Sequence, residues 1–106
     1  MDDSIRIAKA LSDPIRFRIL QLLANGRFEC CRLPLKGDSP EGLCNCVLME
    51  ELGLIQSRVS YHMKELVEAA LVIEEPLGRW KFYRINRQTL RRYLEKLQQE
   101  FLLHRE

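Results

Sequence analysis

The chain has 106 residues, of which 46% are apolar and 30% charged, and its formal net charge is +2. Those values fit a single globular domain and leave little chain for a second one. No apolar run approaches the roughly 18 residues that a membrane-spanning helix needs, so no membrane partner is expected. The opening MDDSIRIAKA is acidic where an export signal is basic, which makes the cytoplasm the expected compartment.

Taken in chain order, Ile5 to Leu11 has the apolar spacing of a short helix, and Ser12-Asp13-Pro14 then punctuates the chain. Asp13 as N-cap and Pro14 as first helical residue start a second helix, IRFRILQLLAN, which stacks Ile15, Ile19, Leu22 and Leu23 and ends at Asn25-Gly26. Residues 27–43 hold Pro34, Gly37, Pro40 and Gly42 and read as a loop with at most a short extended piece. Cys44 to Leu52 is a short helix broken at Gly53. Ile55, Val59, Met63, Leu66 and Ala70 then define the buried stripe of a helix over Gln56 to Ala69. Leu71-Val72-Ile73 and Trp80 to Ile85 read as two strands of a hairpin, turning around Pro76 to Arg79. A last helix, Gln88 to Arg105, sets Leu90, Leu94, Leu97 and Phe101 at heptad-like steps, a stripe that needs a packing partner.

The fold class that follows is mainly α with a β-hairpin, in the helix, helix, helix, helix, strand, strand, helix order of a winged helix-turn-helix. One domain covers residues 1–106. In this architecture the second helix of the motif enters the major groove while the hairpin carries cations to the flanking backbone or minor groove. Between Gln56 and Arg92 the chain has eight basic residues against four acidic ones, so its positive charge lies where the reading helix and wing are expected. Candidate DNA contacts are Gln56, Ser57, Arg58, Ser60, Tyr61, His62 and Lys64 on the helix and Arg79, Lys81 and Arg84 on the wing. His62 also reads as a structural or phosphate-bonding residue and not as a metal ligand.

Cys30, Cys31, Cys44 and Cys46 fall within 17 residues of a chain with no export signal, which points to metal or redox chemistry ahead of structural disulfides. A thiol oxidoreductase would need C-x-x-C at a helix start in a βαβ unit, and the sequence has neither; it also lacks a glycine-rich phosphate loop. No enzyme is expected.

QSRVSYHMKELVEAALV, with Ser60, His62, Met63 and Leu66, resembles the recognition helix of the ArsR/SmtB metal-sensing repressors. GRWKFYRIN, with Gly78, Trp80, Tyr83 and Arg84, is similar to the family's wing, and SDPIRFRILQLLANG to its second helix. The resemblance implies a homodimer joined through the first and last helices, with Ile7, Leu11, Leu90, Leu94, Leu97 and Phe101 at the interface, on a partly palindromic operator. It also implies that Cys44-Asn45-Cys46 is the core of a thiolate site for As(III), Sb(III), Cd(II) or Pb(II), whose binding releases the DNA. Met49 stands where arsenic repressors carry a third cysteine, so Cys30 or Cys31 would complete a three-sulfur site. A four-sulfur site ranks second, and a structural Zn(II) clamp, or a redox or persulfide switch pairing Cys30 or Cys31 with Cys44 or Cys46, competes with ion sensing. The family's other site, with carboxylate and histidine ligands on the last helix, finds only His104. Because helical residues two apart point about 200° away from each other, Cys44 and Cys46 are expected to share an ion only by unwinding the helix that holds them.

Overall fold

The computed structural model describes residues 3–25, 42–77 and 80–103. Cys30, Cys31, Arg79 and His104 therefore lie outside the described residues. Asp3–Leu11 forms α1 and Pro14–Asn25 forms α2. The start of α2 is the one the sequence indicates: Asp13 Oδ1 accepts hydrogen bonds from the N–H groups of Ile15 at 2.8 Å and Arg16 at 3.1 Å, satisfying two otherwise orphaned donors. Ile19, Leu20, Leu22 and Leu23 of α2 are buried, and Ile15 is half-buried beside them.

β1 (Leu43–Cys44), α3 (Asn45–Leu52) and α4 (Gln56–Glu68) come next among the described residues, followed by β2 (Val72–Leu77), β3 (Trp80–Ile85) and α5 (Arg87–Leu97), which runs into a π-turn over Gln98–Leu102. Ile19, Leu48, Val59, Leu66 and Leu71 have no exposed surface, so α2, α3, α4 and the approach to β2 meet in one core. Each such aliphatic side chain contributes about 1.5–3 kcal/mol through removal from water. The sheet order is β1-β3-β2, all antiparallel, with Leu43 opposite Tyr83 and Cys44 opposite Phe82.

Four local expectations are corrected. The helix expected from Cys44 begins at Asn45, because Cys44 has an extended backbone (φ −85°, ψ 161°) and belongs to β1. The buried stripe of α4 fails at both ends: Ile55 is the uncapped residue before the helix and is 67% exposed, while Ala70 has left the helix in a left-handed conformation at φ 60°. The strand expected at Leu71 to Ile73 extends to Leu77 and carries Glu74, Glu75 and Pro76; β2 is an edge strand, where a proline does not interrupt a ladder. Finally, the terminal heptad pattern is interrupted, since regular α-helix gives way to the π-turn at Gln98.

Gly42 is what lets β1 dock. Its φ is +140°, and a Cβ built there would lie 2.3 Å from the Tyr83 carbonyl oxygen and 2.7 Å from Phe82 Cε2. Backbone, not a flexible tip, occupies that space, so an added methyl must push β1 away from β3. Gly42→Ala is expected to cost at least about 2 kcal/mol through strain and lost pairing. In thermal unfolding that is a fall in Tm of about 8–16 °C. A variant melting within a degree of the parent would show that β1 docking tolerates a side chain.

Candidate nucleic-acid interface and thiol site

The turn between α3 and α4 is made by Gly53, which takes the left-handed conformation (φ 65°) and donates its N–H to the Met49 carbonyl; Leu54 N–H reaches the same oxygen at 3.1 Å. This reversal leaves one side of α4 on the core and the other free. Gln56, Ser57, Arg58, Ser60, Tyr61 and Lys64 are all exposed, a set of hydrogen-bonding and cationic side chains on one helix. The face has the chemistry that base edges and phosphates need.

His62 does not join it. The ring is buried, with 4% of the residue exposed, and its Nδ1 lies 3.2 Å from Nη1 of Arg16 on α2. The expected DNA contact by His62 is therefore corrected: Val59, His62, Met63 and Leu66 form the inward face of α4, at steps of three, one and three. Burial, and then the nearby charges of Arg16 and Arg58, hold the His62 pKa below its ordinary 6.5 despite the opposing pull of Asp13 and Glu65.

On the wing, Lys81 and Arg84 are exposed but already engaged. Arg84 Nε donates to Glu75 Oε1 at 2.6 Å, and Lys81 Nζ lies 3.8 Å from Glu74 Oε2. Pairs this open contribute under about 1 kcal/mol each, so phosphates can displace the glutamates, but only by exchange. Beneath them the buried Tyr83 sits opposite Glu74 in the ladder. Its phenol is pushed up to about 12 by burial and then by the Glu74 carboxylate, to which it hydrogen-bonds.

The thiols of Cys44 and Cys46 meet at the junction of β1 and α3, joined as a disulfide with Cα atoms 5.4 Å apart. Cys44 is 1% exposed and Cys46 is half-buried against the core. The expectation that the two sulfurs can converge only by unwinding a helix is overturned: Cys44 lies outside the helix, and α3 is intact with the sulfurs in contact. Among the described residues no group of three or more His, Cys, Asp or Glu could hold a metal ion. Met49 is half-buried one turn along α3.

Of the expected dimer residues, Ile7 is a core residue at 4% exposure, because α1 folds onto its own chain. Leu11, Leu90 and Leu97 are half-buried. Leu94 and Phe101 are 64% and 71% exposed, joined by Ile5, Leu102 and Leu103 at 58–75%. α1 and the end of α5 thus present large apolar side chains outward.

Sequence reasoning missed Gly42, which positions the thiols, Glu74 and Glu75, which hold the wing cations, and Arg16, which holds His62. Alternation of opposite charges across the hairpin was the available signal for the glutamates. Phosphate contact by Lys64 predicts that Lys64→Ala weakens DNA binding uniformly across sequences and lowers the salt slope of affinity by about 1. Glu75→Gln, by releasing Arg84, should tighten binding and steepen that slope by up to about 1 in fluorescence-anisotropy titrations. An unchanged slope in Glu75→Gln would remove Arg84 from the interface.

A family model described as bacterial regulatory protein, arsR family, matches residues 38–74, from ahead of β1 into β2. The chain is 36% identical over 84 residues to the arsenical resistance operon repressor of Staphylococcus xylosus, covering 79% of this chain and 66% of that one, just under two thirds of its length. To the arsenical resistance operon repressor of Staphylococcus aureus it is 33% identical over 91 residues, covering 86% of this chain and 73% of the relative. Its fold is similar to the solution structure of a homodimeric winged helix-turn-helix DNA-binding domain from Mycobacterium bovis, a possible ArsR-family regulator, with a TM-score of 0.66, 23% identity and coverage of 99% of this chain and 86% of that chain. With the reading helix, the wing and the turn between α3 and α4 in the family's order, and with relatives aligned along most of its length, the chain belongs to the ArsR family of winged helix-turn-helix DNA-binding transcriptional regulators.

Proposed function

We propose that this protein is a homodimeric repressor that leaves its operator when As(III), or a related thiophilic ion such as Sb(III), Cd(II) or Pb(II), is captured by the thiolates of Cys44 and Cys46. The carrying observation is the convergence of those two sulfurs at one strand–helix junction with the backbone undisturbed. Soft thiolate ligands select soft ions, and a three-coordinate lone-pair ion would take its third sulfur from Cys30 or Cys31. The names of the relatives support an arsenical as the inducer. Leu94, Phe101 and Ile5, exposed on α5 and α1, supply apolar surface for the homodimer.

The release mechanism rests on where Cys44 sits. Its backbone is paired to Phe82 of β3, two residues from Arg84, and its neighbour Asn45 opens the helix that packs on α4. A sulfur drawn toward a third ligand pulls on the wing through β1 and on the reading helix through α3. A coupling of about 1–3 kcal/mol between ion and DNA changes operator affinity roughly 5- to 150-fold. Because the thiols must lose protons to bind, induction weakens as the pH falls.

With fully reduced protein on the DNA upstream of its own gene, arsenite should release the wild type, while Cys44→Ser and Cys46→Ser bind that DNA within about twofold of wild type and are not released. One of Cys30→Ser or Cys31→Ser should behave likewise. Full inducibility of Cys44→Ser would refute the site. The Cys44–Cys46 disulfide, which replaces the expected pairing of one of these thiols with Cys30 or Cys31, favours a second reading, a thiol redox or persulfide switch in the same fold. Release by peroxide or polysulfide, with indifference to every thiophilic ion, would select it.

A further inference from the structure

Arg16 makes more inter-element polar contacts than its place on a helix near the surface requires. Its Nε donates to the carbonyl of Ala10 at 3.0 Å and its Nη2 to that of Lys9, which Ser12 also bonds, at 3.5 Å, so it reaches two carbonyls in the last turn of α1. The backbone N–H of the same residue is held by Asp13 Oδ1 at 3.1 Å, and its Nη1 lies 3.2 Å from His62 Nδ1 on α4. One planar guanidinium therefore touches the end of α1 and the inward face of the DNA-reading helix, from a base in α2. At the far end of α4, Arg6 of α1 donates to the Glu68 carbonyl at 3.3 Å. α1 is thus bound to α4 at two points.

We propose that Arg16 is a positioning residue for DNA recognition, fixing the angle between α1 and α4 by holding the neutral ring of His62. The inference builds on the family's DNA binding and is independent of any inducer. α4 is 13 residues long, about 20 Å, so a tilt of 10° about one end moves the other by about 3 Å. Hydrogen bonds to base edges tolerate a few tenths of an ångström, so such a tilt abolishes readout while leaving the fold and phosphate attraction in place.

The contact has a protonation requirement. A guanidinium only donates, so Nδ1 of His62 must accept, which puts the ring proton on Nε2, buried and without a partner among the described residues. The remaining site for a second proton is the Nδ1 lone pair that faces Arg16. Protonation therefore converts an attraction into two cations at hydrogen-bond distance. The groups facing the ring are Arg16 from α2, Asp13 from the α1–α2 corner, Arg58 and Glu65 from α4, and the Tyr61 ring, edge-on at 5.1 Å. Burial leads these influences and lowers the pKa, so the neutral form and its contribution are complete above about 6.5 and are lost as the pH falls below it.

The experiment measures operator and random-sequence DNA affinities of the full-length reduced protein from about pH 7.5 down to the lowest pH at which circular dichroism shows the fold intact. Wild-type operator affinity should fall about fivefold or more over that range; His62→Asn, whose amide oxygen can accept from Arg16 without titrating, should change less than about twofold. Arg16→Gln should lose about tenfold in operator affinity at the higher pH with random-sequence binding and helicity kept, and Arg16→Lys, whose single nitrogen cannot span both helices as the planar guanidinium does, should fall between. An acid response in His62→Asn equal to wild type, or operator binding by Arg16→Gln or Arg16→Lys within about twofold of wild type, would overturn the proposal. If Arg16→Gln does not fold, the decision passes to Arg16→Lys and to the pH profile of His62→Asn.

Discussion

The antiparallel pairing of Leu43 and Cys44 with Tyr83 and Phe82 is the contact on which the candidate site depends. It joins a two-residue strand to the wing across some forty positions of sequence, and it is possible only because residue 42 has no Cβ. Through it the sulfur chemistry at the head of α3 becomes part of the sheet that carries Lys81 and Arg84. Without it Cys44 would lie in the first turn of a helix or in an irregular segment, and the two sulfurs would have no fixed relation to the wing.

A second constraint is the sharing of one core by α2, α3 and α4. Leu48 and Val59 have no exposed surface, so α3 cannot shift without disturbing the packing of the helix that faces DNA. The thiol pair thus has two mechanical outlets, a ladder of hydrogen bonds toward the wing and a close-packed aliphatic contact toward α4. Packed interiors behave as bistable elements more than as springs, which suits the two-state release proposed above.

Much of this was legible in the sequence. Asp13-Pro14 announced the start of α2, because cap chemistry is local, and Val59, Met63 and Leu66 announced α4, because helix burial has a period. His62 stands three residues after Val59 and four before Leu66, so its inward position was written in the same period; its polar side chain argued the other way, and Arg16, 46 residues earlier, resolves the conflict. β1 was not legible, since two residues carry no periodicity and their partner strand is distant. Ile55 and Ala70 continued the apolar stripe on paper, but the backbone leaves the helix on either side of α4, where spacing no longer determines direction. The wing glutamates neutralise the cations that composition alone had assigned to DNA, an effect that depends on cross-strand register and not on counts of charge.

The π-turn at Gln98–Leu102 has a consequence for assembly. A π-turn adds one residue to a helical repeat, so the side chains within it fall progressively behind the line they would otherwise follow, by up to about 100° over the whole turn. Leu90, Leu94 and Leu97 share one heading and Phe101 and Leu102 take another. A neighbouring helix that follows the first three must diverge before reaching the last two. In the homodimer proposed above, two such helices would therefore cross and not wind about each other as a continuous left-handed zipper.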